Sequence, residues 1–208
     1  MLTELSSKEE FKFILIGAND GLSFDDIFDV FDQNRASGLA IEPSPKYFEE
    51  LKLNLEKFKK VKLLNKAICE EDKKVLYQLS PSGLRKLPDW GKGIGSFDKQ
   101  HLLKFGIDKM DMEEIEVNGI SFMNLLSSYQ GFYEVEYLQI DTEGYDGEII
   151  KMIDFKKFHA KLIKLEWVNL SETCKEEVKQ IFKMNNFIFF EEKHDSFAVH
   201  CSLRPRLK

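Results

Sequence analysis

The stretch Phe11-Lys-Phe-Ile-Leu-Ile-Gly-Ala-Asn-Asp-Gly21 passes from an apolar run directly into a turn bounded by glycines. Phe13 to Ile16 is bulky or β-branched throughout, the composition of a central parallel strand covered on both faces. Gly17 and Gly21 permit a tight turn and a close backbone approach that side chains would block. Beyond them Ser23 can cap a helix in which Ile27, Phe28, Val30 and Phe31 recur at helical spacing. Strand, glycine turn and capped helix make half of a nucleotide-binding unit, in which a ligand sits at the strand end. Many doubly wound folds also begin this way without a ligand there, so the stretch alone leaves both readings open.

Outward from this strand the pattern repeats. Gly38 to Ile41 is a second short strand, stopped by Glu42-Pro-Ser-Pro45. A helix over Lys46 to Phe58 places Phe48, Leu51, Leu55 and Phe58 on one face. Val61 to Ile68 is a third strand, which makes a β-α-β-α-β order and implies right-handed crossovers and a parallel sheet. Residues 73–118 break the pattern. Val75 to Leu79 and Glu114 to Val117 read as short strands that could pair, and Asp98 to Phe105 as a short helix. The intervening Pro81-Ser-Gly83 and Pro88 to Phe97 are too glycine-rich for a helix or a core strand. This insertion, at about 80–110, is expected to be a lid on an otherwise single domain spanning 1–208.

Regularity returns with a helix over Ile120 to Tyr129 and a strand over Tyr137 to Asp141. A strand over Lys161 to Val168 and a helix over Glu172 to Met184 follow. Asn186 to Glu191 and Ser196 to Cys201 are joined by Glu192-Lys-His-Asp195, too short for a crossover helix, so they form an antiparallel hairpin. The expected fold class is therefore α/β: a Rossmann-like, doubly wound, mostly parallel sheet with a C-terminal antiparallel hairpin. That order matches the seven-stranded class of S-adenosylmethionine-dependent methyltransferases.

Composition sets the limits. The 208 residues, 43% hydrophobic with 18 Phe, suffice for a substantial core. A net charge of −6 excludes nucleic acid as an obvious partner, because phosphate binding needs a basic footprint; the tail Arg204-Pro-Arg-Leu-Lys208 is too short to reverse it. Cys69, Cys174 and Cys201 have no metal-type spacing and read as reduced thiols. Neither a signal-type apolar core nor an apolar run of about 18 residues is present, so a cytoplasmic protein without membrane insertion is expected.

Ligands in a doubly wound sheet lie over the carboxyl ends of the strands. Those ends carry Asp20, Glu42, Asp141 with Glu143, and Glu166. A pyrophosphate would meet this rim badly, since like charges ~5 Å apart at an effective dielectric of ~20 repel by roughly 3 kcal/mol. A sulfonium with an ammonium would be attracted. Glu42 is placed to accept both ribose hydroxyls of a donor, each charge-assisted bond contributing about 1.5 to 3 kcal/mol; the other reading is a cap for the next helix. Asp20 could meet the amino-acid end of a donor or be a turn aspartate. Asp141 and Glu143 could cap a helix, contact a donor, orient an acceptor or ligate a divalent cation. Sequence cannot show their oxygens converging, so no metal is predicted.

Four segments together resemble the FkbM-type methyltransferase family: Ile16-Gly-Ala-Asn-Asp-Gly21; Ile41-Glu-Pro-Ser-Pro45 followed by Phe48, Leu51 and Asn54; Asn65-Lys-Ala67; and Ile140-Asp-Thr-Glu-Gly-Tyr-Asp146. The resemblance spans about residues 11–170 and implies an O-methyltransferase that uses S-adenosylmethionine on a hydroxyl of a sugar, glycan or natural product. It implies a donor-binding turn at Gly17, Asn19 and Gly21, a ribose contact at Glu42, an adenine-side backbone contact at Ala67, and a catalytic rim at Asp141 and Glu143. Many members carry an acid where this chain has Leu15; Asp20 would then take over its contact with the donor's amino group.

Candidates for a general base are Asp141, Glu143 and His101, the last beside the lid, where a surface histidine is the plainer reading. Trp90 and Phe97 could stack on an acceptor or pin the glycine loop. His159, His194 and His200 receive no role. Two other functions compete: an NAD-binding oxidoreductase, which lacks the third glycine of the Gly-x-Gly-x-x-Gly register, and a methyltransferase-like binding domain without turnover.

Overall fold

The computed structural model describes residues 2–6, 10–23, 28, 32, 34–86 and 93–203. Strand β1 (Phe11–Ile16) is central and parallel to β2 (Ala36–Ile41) on one side and β8 (Glu134–Ile140) on the other. Its side chains alternate between two apolar clusters. Ile14 and Ile16 pack with Leu138, Ile140 and Phe122, while Phe11, Phe13 and Leu15 pack with Leu51, Leu55 and Phe28 on the other face. The unbroken apolar run is thus explained by burial on both sides.

The main sheet has seven strands in the order β10-β11-β9-β8-β1-β2-β3. It is completed by β3 (Val61–Leu64), β9 (His159–Glu166), β10 (Phe187–Glu191) and β11 (Asp195–His200). β11 runs antiparallel to both β9 and β10, as the short join predicts. The register fixes what lies at the rim. Ile16 is level with Ile41 on one side and Ile140 on the other, and Ile140 is level with Leu165. The next residue along each of these strands is Gly17, Glu42, Asp141 and Glu166. Strand order reverses at β1, so these four residues border the crevice in which such sheets bind ligands.

Two expectations need correction. Val61 to Ile68 is not one strand: the chain leaves the main sheet at Asn65, and β4 (Ala67–Ile68) joins a second sheet. The Asn65 amide donates to the carbonyls of Glu42 and Pro43, at 2.9 and 3.0 Å, which turns the chain there. Pro81–Leu84 is a helical turn rather than loop, with proline at its start and the Ser80 hydroxyl accepting from the Gly83 amide.

The second sheet has the order β4-β7-β5-β6. β5 (Lys73–Leu79) pairs antiparallel with β7 (Met112–Ile120), as expected of the two short strands, and β6 (Gly95–Ser96) lies on the far side of β5. Expected helices are present at Pro45–Asn54, Lys99–Lys104, Phe122–Ser128 and Glu172–Met184, and another spans Asp146–Met152. The first ends four residues earlier than predicted, and the turn after it buries Leu55 and Phe58. Phe28 is buried beside Phe13 and Phe58; Ile27, Val30, Phe31, Trp90 and the tail Arg204–Lys208 lie outside the described residues. Among the described residues no helix is long and apolar enough to cross a membrane.

Candidate active site

The glycine turn crosses the strand ends tightly. The amides of Gly17 and Ala18 both donate to the Ile41 carbonyl, at 2.9 and 3.0 Å. Gly17 has φ +79°, and a Cβ there would lie 1.7 Å from the Asp141 carbonyl oxygen, so only glycine fits between β1 and β8. Asn19, also at positive φ, donates its amide to Glu42 Oε2 at 2.9 Å. The Ser44 amide donates to Glu42 Oε1 at 2.8 Å. Glu42 therefore ties the first turn to the second while bordering a cavity.

That cavity has a volume of about 630 Å³. It brings together Gly17, Asn19, Glu42, Ala67, Asp141 and Glu143 of the expected site. Asp20, Gly21 and His101 are not among its lining residues. Asp20 turns its carboxylate into its own loop, accepting from the Leu22 and Ser23 amides and the Ser23 hydroxyl. Burial pushes its pKa up, but those donors outweigh it and the net shift is downward. Gly21 packs against the helix Pro45–Asn54, where a Cβ would lie 2.8 Å from Leu51 Cδ1. His101 is buried rather than on the surface, and its Nε2 lies 3.0 Å from Glu143 Oε2. Leu15, where many family members carry an acid, is a core residue packed on the apolar face with Leu51 and Leu55.

The insertion supplies part of the cavity wall. Gly93, Ile94, Gly95 and Phe97 line it, the Gly93 amide donates to the Tyr47 hydroxyl at 2.8 Å, and the Ser96 hydroxyl donates to the Glu143 carbonyl at 2.8 Å. Glu143 sits at φ +52° and also accepts from the Asn169 amide, at 3.3 Å. Tyr47, Gln78, Thr142 and His194 line the cavity although the sequence reading gave them no place. For His194 the sequence held a signal in the short join Glu192-Lys-His-Asp195, and the register, with Asp195 level with Glu166, sets that turn over the end of β9. Tyr47 reaches the cavity from the first turn of the helix Pro45–Asn54, and Gln78 from β5 of the second sheet, a placement that spacing does not encode.

A family model described as the methyltransferase FkbM domain matches residues 16–194. The chain belongs to the FkbM methyltransferase family. No curated protein matches it. Among solved structures, the methyltransferase FkbM of Methylobacillus flagellatus KT superposes with a TM-score of 0.55 at 9% identity. The match covers 96% of this chain and 48% of that one, so this FkbM domain spans about half of that protein. An S-adenosylmethionine-dependent O-methyltransferase of Thermotoga maritima matches at a TM-score of 0.47 and 11% identity, over 99% of this chain and 64% of that one. The precorrin-6y C5,15-methyltransferase of Geobacter metallireducens GS-15 matches at 0.46 and 14%, over 95% and 85%. At such identities the likeness concerns the fold.

In the FkbM domain the rim acids crowd one another. Asp141, Glu143 and Glu166 each bring a carboxylate oxygen within 4.8 Å of the others. Charges that close repel by about 3 kcal/mol at an effective dielectric of ~20. Burial, then Glu143, pushes Glu166 up to about 8. Asp141 is an exposed residue on the cavity wall, yet desolvation by the surrounding protein, then Glu166 and Glu143, raises its pKa well above the usual carboxylate range. Behind them Asp146 is fully buried and is pushed up to about 8 by burial and by Asp141. It accepts from the Thr142 hydroxyl and the Glu166 amide, at 2.8 and 3.1 Å, tying the ends of β8 and β9 together. Burial likewise raises Glu42 to about 7, against the pull of its two amide donors.

The family implies S-adenosylmethionine as the donor, and the residues present fit it. Asn19 Oδ1 and Glu166 Oε2 are buried acceptors with no hydrogen-bond partner among the described residues, and both side chains border the cavity. An unmet buried acceptor costs about 1 to 3 kcal/mol, which an ammonium or hydroxyl donor would recover. A cation also relieves the repulsion among the three acids. The same three oxygens are the described group that could hold a divalent cation.

Proposed function

We propose that this domain transfers a methyl group from S-adenosylmethionine to a hydroxyl oxygen of a sugar, glycan or small natural product. The observation that carries the reading is the polarity of this cavity: buried Glu42 borders it where β2 ends, and the crowded Asp141, Glu143 and Glu166 border it where β8 and β9 end. A carboxylate offers about four lone-pair sites; Glu42 commits two to backbone amides, which leaves acceptors for two ribose hydroxyls. The ammonium of the donor's amino-acid end, beside Asp141 and Glu166, favours their ionised forms, which then offset its positive charge. The insertion acts as a lid that excludes water. A diphosphate, as in NAD, would add negative charge to this rim.

The donor supplies an electrophilic methyl carbon: the acceptor oxygen bonds to it as the sulfur–carbon bond breaks, and the hydroxyl proton must leave to a base. Glu143 takes that proton. As a carboxylate it can only accept hydrogen bonds, so His101 Nε2 and the Asn169 amide donate to it and fix its orientation. Alignment of the reactants supplies up to roughly 7 to 11 kcal/mol, and a positioned base about 10² to 10⁴ in rate.

Calorimetric titration with S-adenosylhomocysteine beside NADH tests the reading. Saturable binding of the homocysteine compound, weakened about tenfold or more by Glu42→Ala through loss of charge-assisted bonds, is the expected result. Tighter binding of NADH, or no binding of either, overturns it.

A further inference from the structure

Beside the donor cavity a second pocket of about 270 Å³ opens on the other side of Glu143. Glu143 and Phe97 line both spaces and so form the partition between them. The remaining walls come from separate parts of the chain: His101 and Lys104 from the insertion, Tyr145 from the turn after β8, and Asn169 from beyond β9. Nothing in the donor reading uses this space. Resting on that reading, we infer that the second pocket is the acceptor subsite and that it admits a single hydroxyl-bearing ring of monosaccharide size.

Its volume and lining agree on this class. At ~30 Å³ per water it holds roughly nine waters, enough for one six-membered ring with its substituents. Phe97 and Tyr145 pack edge to face at 5.0 Å and give it an apolar wall. The lining also offers the Asn169 amide, the carboxylates of Asp98 and Glu143 and the ammonium of Lys104. A ring with an apolar face and a hydroxylated edge matches an aromatic wall with mixed donors and acceptors around it. Lys74 also borders the pocket, but its ammonium is bound to Glu71 and lies over the rings of Phe97 and Tyr145, so it stiffens the wall.

The partition itself is held against backbone preference. Glu143 keeps φ +52° under bonds from Ser96, His101 and Asn169, three residues from two distant segments. Strain of this kind persists where surrounding structure over-determines it. A hydroxyl arriving through the second pocket meets the same carboxylate that borders the donor cavity.

The test measures S-adenosylhomocysteine formation by the full chain with D-glucose, L-rhamnose and D-glucuronate as single-ring probes and maltotriose as an extended one. Turnover of at least one single-ring probe is expected, with maltotriose poorer. Lys104→Trp, which plugs the pocket from an exposed position, should raise the acceptor KM about tenfold or more and leave S-adenosylhomocysteine affinity within about twofold. Tyr145→Leu, which removes part of the wall, should raise the same KM. Normal homocysteine binding with no turnover of any single-ring probe, or with a KM that neither substitution moves, overturns the subsite. Failure of the wild-type chain to bind S-adenosylhomocysteine overturns instead the donor reading on which it rests.

Discussion

Glu42 is where burial and charge conflict most simply. Its ordinary value is 4.5 and its folded value about 7, with burial as the cause. Between those pH values the unfolded chain has released a proton that the folded chain keeps, so stability falls as pH rises from about 4.5 to about 7 and is level beyond. The size is at most roughly 3 kcal/mol. Asp146, raised to about 8, acts in the same direction over a wider range. The ligand-free domain should therefore melt at a lower temperature at pH 8 than at pH 5.5. Glu42→Gln should flatten part of that slope while costing about 1 kcal/mol at low pH, because a carboxamide cannot accept from both amides. Equal slopes in the two proteins would remove burial of Glu42 as the origin. Residue by residue, the sequence announced Glu42 because Pro43 and Pro45 mark a strand end. It could not announce that His101 bonds Glu143 across 42 positions, since nothing local records that contact.

Among the elements, β1 and β8 are separated by a glycine with no room to spare. Gly17→Ala adds a Cβ 1.7 Å from the Asp141 carbonyl at φ +79°. Backbone cannot move aside as a side chain can, so strain and overpacking together should cost at least about 3 kcal/mol. Gly106 has nearly the same backbone, φ +76°, and nothing within 4 Å of an added Cβ. Gly106→Ala should then cost only about 1 to 2 kcal/mol, the conformational part alone. Urea unfolding of both variants separates the two contributions; equal losses would show that Gly17 is constrained by conformation rather than by its neighbour. The same contrast explains what could be read in advance. Strands buried on both faces declare themselves as apolar runs, and the last hairpin by its short join. The division of Val61 to Ile68 depends on Asn65 bonding two carbonyls of another segment, and the helical turn at Pro81 on a single hydroxyl cap, so neither leaves a periodic trace.

At the scale of the whole molecule the site is an assembly of two sheets, and its closure hangs on few bonds. The main sheet supplies Gly17, Glu42, Asp141 and Glu166; the insertion supplies part of the wall with the segment Gly93 to Phe97. Among the described residues two hydrogen bonds fasten that segment to the rim, Gly93 amide to Tyr47 hydroxyl and Ser96 hydroxyl to the Glu143 carbonyl. The Ser44 hydroxyl, which donates to Gln78 at 2.8 Å, joins the second sheet to the end of β2. If the insertion is the lid, removing one fastening should speed opening more than it weakens the fold. Tyr47→Phe keeps the ring in place and deletes one bond worth about 1 kcal/mol, a factor of roughly five. Release of S-adenosylhomocysteine, followed by stopped-flow after displacement, should accelerate by about that factor in Tyr47→Phe and multiply further in the double variant with Ser96→Ala. The association rate should change little, because the open form already exists in the wild type. Unchanged release in the double variant would mean that the segment is a fixed wall of the cavity and not the lid.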